Sequence, residues 1–168
     1  MSDVKLVDVT FSKLGNVKLK LLEIDGELEM LSAGYFLQRY DSGSKPNTIK
    51  KDAQCIQHLY RFCIESEVDL YKLASSKSPF SMGQIESYSA YCSVDIKTGE
   101  QISSGHYDQR MRVSWAFIKW LWLFYQNRTK NDLDNLKAAK IQFTTMQEGF
   151  KLYLNSPFNN YVPHKEGL

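Results

Sequence analysis

Two short stretches of the sequence are rich in the types of side chain that can bind phosphates and the edges of bases. Lysine, asparagine, threonine and glutamine stand between Lys45 and Gln54, and histidine, tyrosine, glutamine and arginine between His106 and Arg112. Each stretch opens a segment with helical periodicity. A helix N-terminus offers unpaired backbone N–H groups and the positive end of the helix dipole. Both stretches therefore predict anion contacts, and the alternative is a solvated helix face with ordinary surface lysines.

The sequence contains no motif that would assemble an active site. GxSxG, GxxxxGK[ST] and a GxGxxG after a strand are all missing. The aromatic run WAFIKWLWLFY has the helical spacing typical of core packing. Cys55, Cys63 and Cys92 have no CxxC spacing, and the three histidines are scattered. We therefore expect no metal, no cofactor and no catalytic residue, with the thiols reduced and mostly buried.

The composition is that of a soluble globular protein, with 43% hydrophobic and 24% charged residues. The net charge of +2 is too small to indicate a nucleic-acid partner, but it is unevenly distributed. Residues 45–128 carry eleven basic and eight acidic side chains, whereas residues 1–44 carry five and seven. No export signal is visible, and the apolar run Val113 to Tyr125 is shorter than the roughly 20 residues that span a bilayer. We expect a cytoplasmic protein with no membrane partner.

The first thirty residues predict β-structure. Two β-prone runs, at 4–11 and 17–21, are separated by Gly15-Asn16, and Asp25-Gly26 follows the second run. Both dipeptides suit hairpin turns because Gly and Asn tolerate a positive φ. We predict a hairpin or three-stranded meander that docks on the following helices, because a two-stranded ribbon is marginally stable alone.

Helical periodicity begins near Ser32 and predicts a mainly α bundle of four to five helices. A short helix capped by Ser32 should end at Ser42-Gly43, and a second should be capped by Asn47 or Thr48. The second helix places its apolar residues on one stripe and its basic and amide residues on the opposite face; these are Lys50, Lys51, Gln54, Gln57, His58 and Arg61. Further helices are predicted from about Met82, because Ser81 and Gln84 have the capping-box pattern, and from His106 to Gln126. A last helix, capped within Thr129 to Asp132, should end before Pro157. The segment Ser93 to Ser104 reads as an exposed loop.

Three segments resemble the core-binding domain of the tyrosine recombinases of the phage-integrase family. Lys45–Phe62, KPNTIKKDAQCIQHLYRF, is similar to the family stretch in which Ser/Asn-x-Thr-Ile-basic opens a helix ending in Leu-x-x-Phe. Gln84–Tyr88, QIESY, resembles the Asp-Ile-x-x-Tyr element that follows. Asp108–Leu121, DQRMRVSWAFIKWL, resembles the closing helix, in which Gln109 and Arg110 fall on two arginine positions. The matches occur in family order and cover roughly residues 31–125.

The resemblance implies a SAM-like bundle that forms half of a C-shaped clamp on double-stranded DNA, and it implies other recombinase protomers as partners on the DNA. A separate C-terminal catalytic domain, absent from this sequence, would cut and join the strands. The implied DNA contacts are Lys45, Asn47, Thr48, Lys50, Lys51 and Gln54 on one helix, and His106, Tyr107, Gln109, Arg110 and Arg112 on the other. Two departures weaken the second set, because Gln109 and Trp115 stand where the family commonly has arginine. The β-prone segment is outside the usual family pattern and is either an added arm or an embellishment.

The expected organisation is a β-prone segment at 1–30, a helical core-binding domain at 31–127, a C-terminal helix at 128–156 and a linker or disordered tail at 157–168. We expect either a fragment or a truncated relative of a recombinase. Two other functions stay open, a helical module that docks another protein and a stand-alone DNA-binding regulator. Salt-insensitive binding through an exposed apolar patch would favour the first of these.

Overall fold

A computed structural model describes residues 3–76, 78–126 and 133–155. It confirms the predicted fold class, mainly helical with a three-stranded antiparallel meander at the N-terminus. The strands are β1 (Val4–Phe11), β2 (Val17–Ile24) and β3 (Glu27–Leu28). The helices of the described residues are α1 (Met30–Asp41), α2 (Pro46–Glu65), α3 (Leu70–Ser75), α4 (Met82–Cys92), α5 (Ser104–Gln126) and α6 (Leu133–Asn155). The chain divides into two compact units, residues 1–67 and residues 68–168, which we call the first and second units.

Both predicted turns form in the sheet of the first unit. Strands β1 and β2 pair from Val4 opposite Ile24 to Phe11 opposite Val17. The two turns contain residues with positive φ, at 78° and 60° for Gly15 and Asn16 and at 52° and 85° for Asp25 and Gly26. Glycine, asparagine and aspartate adopt this left-handed conformation more readily than other residues.

The sheet contributes buried side chains to the core of the first unit. Strand β2 packs on α1 and α2, and Leu19, Leu21 and Leu22 are at most 1% exposed. The predicted apolar stripe of α2 is buried, from Ile49 through Cys63. Burial of each leucine contributes roughly 1.5–3 kcal/mol. The compact unit therefore contains the sheet together with α1 and α2, whereas the sequence placed a boundary after residue 30.

Helices α1 and α2 begin two to three residues earlier than predicted. The cap of α1 is Glu29, whose carboxylate accepts hydrogen bonds from the N–H groups of Leu31 and Ser32 at 3.4 and 2.7 Å. The prediction of Ser32 as the cap was wrong, because Ser32 already lies inside the helix. Helix α2 begins at Pro46, directly after Lys45. Proline suits this first helical position because its missing N–H would be unpaired there in any residue.

The second unit contains the predicted capping box. Ser81 Oγ accepts the N–H of Gln84 at 3.2 Å, and the Gln84 side chain accepts the N–H of Ser81 at 2.8 Å. Its core includes aromatic contacts such as the stacked rings of Trp115 and Phe150, whose centroids are 5.0 Å apart. Helix α3 was not predicted, because six residues are too few to show a helical period.

The predicted caps of the last helix, Thr129 to Asp132, and the predicted tail at 157–168 lie outside the described residues. Helix α6 confirms the helical part of that prediction between Leu133 and Asn155. No helix among the described residues has the length and apolar character needed to cross a bilayer.

Candidate nucleic-acid interface

The predicted contact residues of α2 all lie on the surface of its first turns. The exposed set is Lys45, Asn47, Thr48, Lys50, Lys51 and Gln54. The first turn carries no acidic residue. Within residues 3–76, 78–126 and 133–155, the three lysines form no ion pair. We call these six residues the α2 surface.

The carboxylate in this part of α2 is buried against Arg39 and is not exposed among the lysines. Asp52 is only 6% exposed, and one of its oxygens accepts hydrogen bonds from Nε and Nη2 of Arg39 at 3.1 and 2.7 Å. The hydrogen bond with Asp52 raises the pKa of Arg39 above its usual value, against the opposing effect of burial. The lysines are therefore presented without a neutralising carboxylate among them.

The second half of α2 does not extend the basic face that the sequence predicted. His58 is 5% exposed, so its assignment to the solvent face was wrong. Gln57 and Arg61 donate to the backbone carbonyl of Val4 at 2.8 and 3.3 Å. His58 is buried and Gln57 is half-buried, whereas Arg61 is exposed but bonded to the N-terminal sheet, which packs against α2. The candidate interface on α2 is thus confined to its first two to three turns.

Of the predicted contacts on α5, some side chains are exposed to solvent and others are buried or bonded to other groups of the protein. His106 and Gln109 are exposed, and Ser103 Oγ accepts the N–H of His106 at 3.2 Å at the start of the helix. Tyr107 is 3% exposed, and its hydroxyl is 2.5 Å from Ser89 Oγ. Burial, the largest influence, raises the pKa of Tyr107 to about 12. Tyr107 packs in the core of the second unit and does not present a surface for DNA.

The Arg110 side chain forms hydrogen bonds with backbone carbonyls of its own unit, the second. Its Nη1 donates to the carbonyls of Cys92 and Val94 at 3.0 and 3.2 Å, at the C-terminal end of α4. Arg112 is exposed and pairs with Asp108 one turn earlier on α5. Both arginines thus have protein acceptors, whereas the lysines of the α2 surface form no such ion pair within the described residues.

The predicted loop before α5 contains a short β-ribbon. Val94 pairs with Gln101, and the N–H of Ile102 donates to the carbonyl of Ser93 at 3.0 Å. The Asp95 carboxylate accepts the N–H groups of Lys97 and Thr98, which lowers the pKa of Asp95. The isolated sequence did not reveal this ribbon because its strands are single bridge residues.

The role of Arg110 can be tested by substitution. We expect Arg110→Ala to destabilise the protein by about 1–2 kcal/mol, because two carbonyls lose a charged donor at a partly exposed position. An arginine that reads guanine would instead change discrimination between bases by about 1–3 kcal/mol. Urea unfolding and binding to single-base variants of a duplex distinguish the two. For the unfolding measurement Arg112→Ala is the matched control, with a loss of stability near 0.5 kcal/mol at most, because its ion pair is exposed.

The structure divides the eleven predicted contacts between two units. The α2 surface belongs to the first unit, and the residues of α5 belong to the second. Arg39, which pairs with Asp52 of α2, was not singled out in the sequence. The available signal was a basic residue in the last turn of α1, six positions before Lys45.

In the part of the chain that the structure describes, no group of His, Cys, Asp and Glu is arranged to hold a metal ion.

Compared with known protein families, curated proteins and solved structures, the chain shows no match. The likeness to tyrosine recombinases therefore depends on the three sequence segments described above.

Proposed function

We propose that this chain binds duplex DNA as the core-binding part of a tyrosine recombinase. The observation that supports this function most directly is the α2 surface, with three exposed lysines and three exposed donors at one helix N-terminus. The carboxylate of the same turns is buried against Arg39. Lysine charges next to a helix N-terminus favour phosphate oxygens.

The α2 surface combines two kinds of contact. Lys45, Lys50 and Lys51 supply charge for the DNA backbone, a contribution that is independent of sequence and sensitive to salt. Asn47 and Gln54 carry amides that pair with adenine edges in the major groove or donate to phosphates. His106, Gln109 and Arg112 on α5 form the second proposed group. The resemblance adds a SAM-like clamp, partner protomers and a separate catalytic domain to this proposal, and we assign only binding to the present chain.

The test is a salt titration of binding to a fluorescent duplex that carries the recombination site beside the gene, with a scrambled duplex for comparison. We expect affinity to fall steeply between 50 and 300 mM salt, with a preference for the native site. Absence of binding to either duplex at 50 mM salt would contradict DNA binding and favour a protein-docking module. Equal affinity for the two duplexes would contradict sequence-directed binding.

His106 gives the binding a pH dependence if it contacts a phosphate. Burial and, after it, the nearby Arg110 lower the pKa of His106, while Asp95 opposes them. The free protein therefore holds a neutral imidazole at pH 7, and a bound phosphate would favour its protonation. We expect affinity to rise as the pH falls from 8 to 6, with a slope approaching one proton per complex. His106→Gln should remove this slope, and an unchanged slope in that variant would exclude His106 from the contact.

The lowered pKa of His106 also makes the stability of the fold depend on pH, in the direction opposite to that of DNA binding. Because the pKa of His106 is lower in the folded chain than the roughly 6.5 of an unfolded one, the unfolded state binds more protons. The stability contributed by His106 is therefore present above this pH and decreases as the pH falls below it. Binding should be measured at protein concentrations and temperatures where the free chain stays folded at pH 6.

A further inference from the structure

The Arg39 guanidinium is held by hydrogen bonds on one side and exposed to solvent on the other. Its side chain lies in the last turn of α1 and is 37% exposed, whereas the Asp52 side chain is 9% exposed. Nε and Nη2 both donate to the same oxygen, Oδ2 of Asp52. A guanidinium carries five N–H groups in a planar fork. The remaining three N–H groups have no acceptor among the described residues.

The turn between α1 and α2 brings Arg39 next to the α2 surface. The Arg39 carbonyl accepts the N–H of Ser44 at 3.0 Å, one residue before Lys45. Its acceptor Asp52 lies one helical turn after Thr48, on the same side of α2. The guanidinium therefore sits beside the first turns of α2, where the exposed lysines begin.

In the ion pair, the Asp52 carboxylate is buried and the Arg39 guanidinium is partly exposed to solvent. A buried carboxylate that takes two N–H groups fixes the plane of the guanidinium and limits its rotamers. The fixed fork then loses little entropy when it binds a second anion, and its geometry suits the two free oxygens of a phosphodiester. A lysine on the same surface offers charge without this directional preference.

We propose that Arg39 is a further phosphate ligand of the DNA-binding surface, oriented by Asp52. This inference rests on the proposed function, because it adds a backbone contact to the α2 surface. The ligand is a phosphodiester of duplex DNA. Asp52 is a positioning residue that does not touch the DNA.

The main test uses the double variant Arg39→Met/Asp52→Leu in the full chain. Arg39→Met alone would leave a buried carboxylate without a partner and could unfold the first unit, whereas replacing both members by apolar residues is often neutral. The double change also leaves the net charge unaltered. We expect binding to duplex DNA to weaken roughly five- to tenfold at 0.15 M salt, and the salt slope to fall by about 0.9. Circular dichroism verifies that the variant is folded.

A matched control removes another ion pair from the same unit. Lys20 and Asp8 pair at 3.0 Å on the sheet, so Lys20→Met/Asp8→Asn deletes one cation and one anion in the same way. We expect this control to bind DNA as wild type does. An equal loss in both double variants would overturn the inference, because it would show a general effect of removing ion pairs.

Arg39→Lys gives a second readout that does not depend on the double variant folding. Lysine keeps the charge and a partner for Asp52 but lacks the planar fork, so we expect roughly threefold weaker binding. Wild-type affinity in Arg39→Lys or in the folded double variant would overturn the role of Arg39. If the wild type binds and only Lys50 and Lys51 matter, the proposed function stands without Arg39. If the wild type does not bind at all, both proposals fail.

Discussion

Replacing Lys50 and Lys51 together by glutamine should weaken binding to duplex DNA by about 30-fold at 0.15 M salt. Each lysine that neutralises a phosphate releases condensed counterions and contributes a salt slope of about 0.9. The loss of two contacts should therefore reduce the slope by about 1.8. Because these charges lie on the first turns of α2 and carry no base specificity, affinity should fall equally for native and scrambled duplexes. Fluorescence anisotropy over a salt series measures both quantities.

The matched control for this prediction is Lys13→Gln/Lys18→Gln. These lysines are exposed in the N-terminal sheet region of the same unit, and their removal changes the net charge by the same amount. We expect a loss of less than about threefold from the weaker long-range field. If the two double variants lost the same affinity, the α2 surface would contribute only through overall charge, and its assignment as the contact surface would be wrong.

Leu21→Ala should lower the free energy of unfolding of the first unit by about 2.5–5 kcal/mol. Leu21 lies on β2 and is fully buried, so truncation removes buried surface and leaves a cavity in a tightly packed core. Urea titration followed by far-UV circular dichroism measures the change. The three tryptophans, Trp115, Trp120 and Trp122, belong to the second unit, so tryptophan fluorescence follows that unit separately.

The control has the same substitution at an exposed position of the same region. Leu14 is 42% exposed in the turn between β1 and β2, so Leu14→Ala should change the free energy of unfolding by no more than about 0.5 kcal/mol. A small effect of Leu21→Ala would mean that the N-terminal strands are a detachable arm. The expected large effect would establish them as part of the folded core that supports α2.

Local patterns in the sequence predicted most of the elements. Turn dipeptides located both turns of the meander, and the period of apolar residues located α2, α4 and α5. The capping box at Ser81 and Gln84 set the start of α4 because both hydrogen bonds form within four residues. The start of α1 was missed because its cap, Glu29, is an unusual residue for that position.

The exposed residues of the candidate site could be predicted where their exposure follows directly from the periodicity of an α-helix. The α2 surface is exposed because its positions oppose the apolar stripe of α2, a relation already present in the residue spacing. The buried positions of His58 and Tyr107 were not predictable in this way. Burial of a polar residue depends on which other element covers it, and the sequence of one helix does not contain that information.

The sequence alone determined the helical class, the meander and the concentration of lysines at the start of α2, because each depends on residues within a few positions of one another. Tertiary structure decided which charges remain exposed. Asp52 is removed from the surface by Arg39, thirteen positions away on another helix, and Arg110 is occupied by carbonyls at the end of α4. Both arrangements require two helices to pack side by side, and packing depends on the shapes of whole faces. Charge patterns along the chain therefore indicate where a candidate surface begins, whereas the fold determines which of its charges face the solvent.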